Sequence, residues 1–331
     1  MHTRIVGLVI FLCSMVCSLN MSAQENEGDL SLTIERFKEN TIYLSSDELG
    51  GRGAGSEGIK LAASHIANEF SKIGLETLPD GTYVQLFDYP EQEEQESNII
   101  GFIPAQEPTT KSLIFTAHYD GYGIIKNVDQ SDSIYNGARD NAIGVAALME
   151  LARIYVDQKA PKVNLVFMAT AGEEFGLVGS SYYLEHPVFN ADDIVMCLNI
   201  DGFNVSGKRA NFFVMPRQGV DFVDDMVLVA QRCGWIYDPP EWVDSMNKNF
   251  DTASFLSRNI PAMTLWIGDR LLNGEMAPKL NFGNIHSPED EINGAWDWSG
   301  VQDHLELYKN AADYFINLNS SVHVNDPGLF Q

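Results

Sequence analysis

Two histidines, two aspartates and a glutamate are spaced along this chain where a metal could gather them. They are His118, Asp140, Glu174, Asp201 and His286, with Asp120, Asn141 and Glu173 beside them. Three short apolar runs lead into them: Leu113 to Ala117 into His118, Val163 to Thr170 into the Glu173-Glu174 pair, and Ile194 to Ile200 into Asp201. Imidazole nitrogen and carboxylate oxygen suit zinc, and two metals about 3.5–4 Å apart can share one carboxylate. Five such donors suffice for a pair of divalent ions. The acid next to a ligand is then left over as a base that moves protons. Each piece alone is ordinary, since a His at a strand end is usually just hydrogen-bonded and a Glu pair commonly sits at a helix N-terminus. The ordered set carries the weight.

Such groups meet only if strands deliver them to one edge. Strands are predicted at Ser97 to Phe102, Leu113 to Ala117, Val163 to Thr170, Ile194 to Ile200, Asn211 to Met215 and Ala262 to Ile267. Helical spacing runs from Leu30 to Leu44, Ile59 to Ile73 (ending at Gly74), Ala142 to Val156, Ser180 to His186, Val220 to Cys233 and Ser299 to Leu318. Glycine-rich Gly50 to Gly58 reads as a loop, as does the charge run Glu91 to Glu96. This alternation predicts an α/β fold: a mixed, largely parallel sheet with helices on both faces. In that architecture ligands collect outside the carboxyl ends of the strands. No repeat or Pro/Ser linker divides residues 24–331, which read as one domain. His65, His186 and His304 fall in helical segments without an acidic partner at ligand spacing and read as structural.

The first 23 residues stand apart. His2 and Arg4 precede the apolar stretch Ile5 to Val16, and small residues follow at Ser22-Ala23. That pattern predicts a secretory signal peptide cut near Ala23, so the protein is expected to be exported. The stretch is too short for a lasting membrane span. Ser14-Met15-Val16 before Cys17 matches a lipid-anchor site poorly. The formal charge of the 331-residue chain is −25. An acidic surface of that size repels nucleic acid and anionic membranes, which argues against both as partners. Cys197 and Cys233 remain after the leader. They could pair in an oxidising compartment, but Cys197 lies within an apolar strand and reads as a buried free thiol. Nothing in the sequence sets an oligomeric state.

Five motifs, in order, resemble the two-zinc aminopeptidases, a family that also includes glutamate carboxypeptidase, the transferrin receptor ectodomain and glutaminyl cyclases. They are Leu44 to Ser56 with the helix after it, Ala117-His118-Tyr119-Asp120, Asn136 to Asn141, Gly172 to Ser180, and Asn199-Ile200-Asp201 with His286 to Asp290. The resemblance implies two zinc ions per chain and a peptide substrate. It assigns His118 and Asp201 to one ion, Glu174 and His286 to the other, and Asp140 as the bridge. Asp120 would accept a hydrogen bond from the far nitrogen of His118. Glu173 would be the general base. A cis peptide is expected between Asp140 and Asn141.

Some positions depart from the family pattern. Arg139 stands where an acid is common, Ile143 where Ser is common, and Gly202 follows Asp201 where many members carry Met. Gly202 is expected to reshape the pocket beside the scissile bond, and Phe250 to Phe255 to lie near the substrate. Three classes of function fit the resemblance. A metal-dependent exopeptidase acting at amino ends is favoured. A single-zinc glutaminyl cyclase is the alternative; those relatives tend to have Asp-Gly-Glu before the second acid and Trp before the last His, where this chain has Ala171-Gly172-Glu173 and Ile285. A metal-free binding module would have lost ligand residues, and this chain keeps each one. Arg139 could hold a substrate carboxylate in a carboxypeptidase, though an ordinary salt bridge is the simpler role.

Overall fold

A computed structural model describes residues 33–89, 94–126, 132–318 and 320–331. The expected leader (residues 1–23, with Cys13 and Cys17) and residues 30–32 of the first expected helix lie outside the described residues. Helix α1 covers residues 33–44. A 3-10 segment follows at Asp47–Arg52, then α2 at Glu57–Ile73. The expected loop at Gly50 to Gly58 is therefore only partly a loop. The Ser56 hydroxyl accepts the Ile59 N–H and starts α2, and Gly74 ends it in the left-handed conformation with its N–H on the Phe70 and Ser71 carbonyls.

Ten strands follow in order: β1 Val84–Asp88, β2 Gln95–Ile103, β3 Ser112–His118, β4 Gly123–Ile124, β5 Ile134–Tyr135, β6 Asn164–Thr170, β7 Ile194–Asn199, β8 Asn211–Met215, β9 Ile236–Tyr237 and β10 Ala262–Ile267. Eight form one sheet in the order β1-β2-β6-β3-β7-β10-β8-β9, and β4 and β5 make a small hairpin. The centre is parallel, with β6, β3, β7 and β10 running the same way, and antiparallel pairings flank it at β1/β2, β2/β6 and β10/β8. Every residue of β3 and β6 is buried. A strand covered on both faces reads as an unbroken apolar run, which is why these two could be found in the sequence. Phe115 and Phe167 pair across them and stack at 5.1 Å.

The remaining helices are α3 Ile143–Val156, α4 Val178–Glu185, α5 Val223–Arg232, α6 Thr252–Leu256 and α7 Val301–Asn317. Helix α3 packs on both α2 and α7, and all three pack on the sheet, while α4 and α6 pack together against β2, β7 and β10. Helix α3 is apolar nearly all round because it is enclosed between sheet and helices, and its single carboxylate, Glu150, is paired with Arg36. The charge run expected as a loop proves partly structural. Gln95 and Glu96 belong to β2, and the buried Glu96 carboxylate accepts the Gly55 N–H at 2.5 Å. Glu91 to Glu93 lie outside the described residues. Among the described residues Cys197 and Cys233 are unpaired, the first buried and the second exposed. Among the described residues no helix is long and apolar enough to cross a membrane.

Candidate metal centre

The parallel centre of the sheet brings the donors to one edge. His118 is the last residue of β3, Glu173 and Glu174 follow the end of β6, and Asp201 follows β7. Asp140 comes from the tight turn Ala138–Ala142 that opens α3, and His286 from the long loop after β10. Asp140 stands in the middle. One carboxylate oxygen lies 3.1 Å from His118 Nε2, and the other lies 2.9 Å from His286 Nε2. His118 Nε2 is also 3.7 Å from Asp201, and His286 Nε2 is 3.4 Å from Glu174. Two donor triads result, His118-Asp140-Asp201 and Asp140-Glu174-His286, each with its ligand atoms within 4.8 Å of one another.

The surroundings hold Asp140 in place from several sides. Its peptide with Asn141 is cis, as expected. The Asn141 amide donates to the Ile200 carbonyl at 2.8 Å and accepts the Gly202 N–H at 2.9 Å, so it ties the Asp140 turn to the loop carrying Asp201. The Asp290 carboxylate accepts the N–H groups of Arg139 and Asp140 at 3.1 Å. Arg139 spends its guanidinium on Asp290 and on the Gly283 carbonyl, an ordinary salt bridge. Gly137 precedes the turn with φ +58, and a Cβ there would lie 2.7 Å from Arg52 Nη2. Arg52 is fully buried and donates to the carbonyls of Leu44, Tyr119, Asn136 and Gly137.

Asp120 departs from expectation. Its nearest oxygen is 3.7 Å from His118 Nδ1, too far for a hydrogen bond, and that nitrogen has no hydrogen-bond partner among the described residues. The carboxylate instead accepts the N–H groups of Glu173 and Glu174 at 3.2 and 3.3 Å. Both of its oxygens are occupied by fixing the Glu pair, so the far nitrogen of His118 is faced but not held. Arg52 and Asp290 were present in the quoted motifs, yet no local pattern marked either as a support. Tyr122, whose ring lies 4.7 Å from that of His286, carried no signal at all. His65, His186 and His304 make hydrogen bonds to Asn40, the Tyr182 carbonyl and the Leu265 carbonyl, and neither donor triad includes them.

Four carboxylates crowd this buried edge, and their ionisation shows it. Burial, then repulsion from Asp140, pushes Glu174 up to about 8. Burial lifts Glu173 well above the usual range and raises Asp201. Burial also works against the charge on Asp140, but the hydrogen bonds from His118 and His286 outweigh it and hold that carboxyl below the ordinary range. Burial alone would lower His118, and the nearby charges of Glu173 and Asp201 reverse the direction. A buried acid cluster paired chiefly with imidazoles is short of positive charge, which is the chemistry of a divalent-cation site. The donor set therefore fits zinc: imidazole and carboxylate in two triads sharing one residue.

A recess of about 740 Å³ opens beside the donors, lined in part by Glu173, Asp201, Gly202, Trp266 and His286. Phe250 also lines it, and Thr252 to Leu256 after it forms helix α6.

Known proteins share this architecture. A model described as peptidase family M28 matches residues 98–312. A vacuolar membrane protease of Clavispora lusitaniae is 30% identical over 158 residues, 45% of this chain and 14% of that protein. The chain thus spans only a small part of the curated relatives it matches. A zinc aminopeptidase from Bacillus subtilis superposes with a TM-score of 0.63 at 17% identity, over 85% of this chain and 94% of that one. A glutaminyl cyclase from Porphyromonas gingivalis superposes at 0.57 and 14% identity, over 86% and 97%. At these identities the likeness is one of fold, and the fold serves both chemistries.

Proposed function

Because the chain belongs to peptidase family M28, we propose that it is a two-zinc exopeptidase that removes residues from the amino end of peptides. The observation that carries this reading is the place of Asp140, one oxygen toward each imidazole and a donor triad on either side. His118 and Asp201 would hold one ion, Glu174 and His286 the other, with Asp140 shared. Zinc, when bound, supplies Lewis acidity toward the scissile carbonyl and lets water ionise near neutral pH. The chain's own residues do the rest. Glu173 faces the recess and has its own backbone N–H held by Asp120, so its carboxylate can take a proton from the attacking water and return it to the leaving amine. Asp120 holds the backbone of the Glu pair, and Asn141 and Asp290 hold the turn of Asp140. Arg139 is engaged by Asp290, which favours substrates recognised at the amino rather than the carboxyl end.

The metal count tests this reading against the cyclase alternative. Elemental analysis of the purified, dialysed protein is expected to return about two zinc equivalents per chain. One tightly held equivalent would favour the single-zinc cyclase, and none would remove both.

The protein is further proposed to act outside the cytoplasm, on the strength of residues 1–23 as a cleaved leader. Amino-terminal sequencing of the protein recovered from its native compartment should begin near Gln24; recovery of Met1 would refute export by this route.

A further inference from the structure

We propose that Tyr122 is a positioning residue for the metal centre: its ring sets the His286 imidazole against Asp140 and Glu174, and with it the affinity of one of the two metal positions. The inference rests on the two-zinc reading. The donors other than Asp140 are held very differently. His118 is buried at the end of β3, in register with Thr170 of β6, and the buried Asp201 follows β7. Glu174 has its N–H on Asp120. His286 belongs to no helix or strand, its side chain is 47% exposed, and its φ of +55 is left-handed.

The turn around His286 is bonded mostly to itself. Asn284 donates to Glu289, Ser287 to the Asn284 carbonyl, and the Glu289 N–H to the Ser287 hydroxyl. Arg139 and the Asp140 N–H tie its two flanks, Gly283 and Asp290, to the donor edge. Those bonds fix the backbone on either side and leave the imidazole its side-chain torsions. Among the described residues, one aromatic ring touches that imidazole: Tyr122, with centroids 4.7 Å apart and planes tilted by 51°.

Tyr122 is itself anchored where the histidine is not. It lies four residues beyond His118, between two glycines. A Cβ at Gly121 would stand 2.8 Å from the Gly51 carbonyl oxygen, and one at Gly123 would stand 2.9 Å from Gly53 Cα. The Gly121 N–H donates to the Arg52 carbonyl at 3.2 Å. Tyr135 and Phe175 lie against the same ring at 6.1 and 5.7 Å. The gap lined in part by Tyr122, Asp140, Glu174 and His286 measures about 10 Å³, which holds one water at most and no side chain. An imidazole walled in this way loses less freedom on meeting a cation, and that raises the affinity of its position.

Zinc titration of the metal-free protein against a competing chelator, read as two dissociation constants, tests this in Tyr122→Ala, Tyr122→Phe and Phe175→Ala. Tyr122→Ala should weaken one equivalent by about 10–100-fold, the usual cost of removing a group that orients a metal ligand, and leave the other within about 3-fold. Tyr122→Phe keeps the ring and should restore most of the affinity. Phe175→Ala removes an exposed ring that touches Tyr122 and not His286, and should stay within about 3-fold of the parent. The melting temperature of the metal-free protein should be unchanged throughout. If Tyr122→Ala does not fold, Tyr122→Leu, which keeps bulk and drops the ring, is read in its place against the same outcomes. Two unchanged constants overturn the proposal. So does equal weakening of both with a lowered melting temperature, which marks a general structural role, or a Phe variant as weak as Ala. A parent protein that binds a single equivalent refutes the two-zinc reading instead; Tyr122→Ala then decides the proposal on that equivalent alone, and an unchanged constant overturns it.

Discussion

Glu173→Gln is expected to keep both zinc equivalents and substrate binding while losing about 10²–10⁴-fold in kcat, the usual worth of a positioned general base. The side chain is buried, lies against the recess and is next in sequence to a proposed ligand, yet neither donor triad includes it. The amide side chain is nearly isosteric with the carboxylate and cannot accept a proton. Folding and metal content should therefore be unchanged. The competing view treats Glu173 and Glu174 as acids that merely favour a turn or helix start, in which case each substitution costs a little stability and nothing in turnover. Steady-state kinetics with metal analysis on the same preparation decides between them. Near-normal kcat in Glu173→Gln would remove the proposed mechanism even with two zincs bound.

Asp140→Ala is expected to empty the site more completely than Glu174→Ala. Glu174 belongs to one triad, so its loss should release about one equivalent and abolish efficient turnover. Asp140 belongs to both, so its loss should take zinc below one equivalent after dialysis. The affinity cost should exceed the roughly 10–100-fold typical of losing a group that only orients a ligand. Zinc titration against a competing chelator gives the readout. An Asp140→Ala protein that retains two equivalents would show that the carboxylate is not shared.

The parts of this molecule legible in its sequence are those where one physical cause dominates. Strands β3, β6 and β7 are enclosed by the fold, so continuous runs of apolar residues revealed them and, with them, the edge where the donors meet. Strand β1 and the short pairs β4, β5 and β9 escaped notice because partial burial leaves no such run. Helix α6 has five residues, too few to display a 3.6-residue period. The donors could be named because metal chemistry limits the residue types. Their supports could not. Whether Asp120 holds an imidazole or two backbone amides depends on where the Glu pair lands, and no spacing along the chain encodes that distance. Glu96 was hidden for a related reason: within a run of acids, nothing local distinguishes the one that turns inward to meet the Gly55 amide.

Arg52 bears on how much of the chain the centre needs. Complete burial lowers its guanidinium only to about 10, so it stays charged across the working range of pH. It joins carbonyls at Leu44, Tyr119, Asn136 and Gly137, three stretches distant in sequence that meet beneath the donors. The family match begins only at residue 98. A chain cut to the matched span would leave three of those carbonyls without their shared donor and the Asp140 turn without its cross-brace. The bracing of the donor edge thus reaches upstream of the matched span, as far as the end of α1.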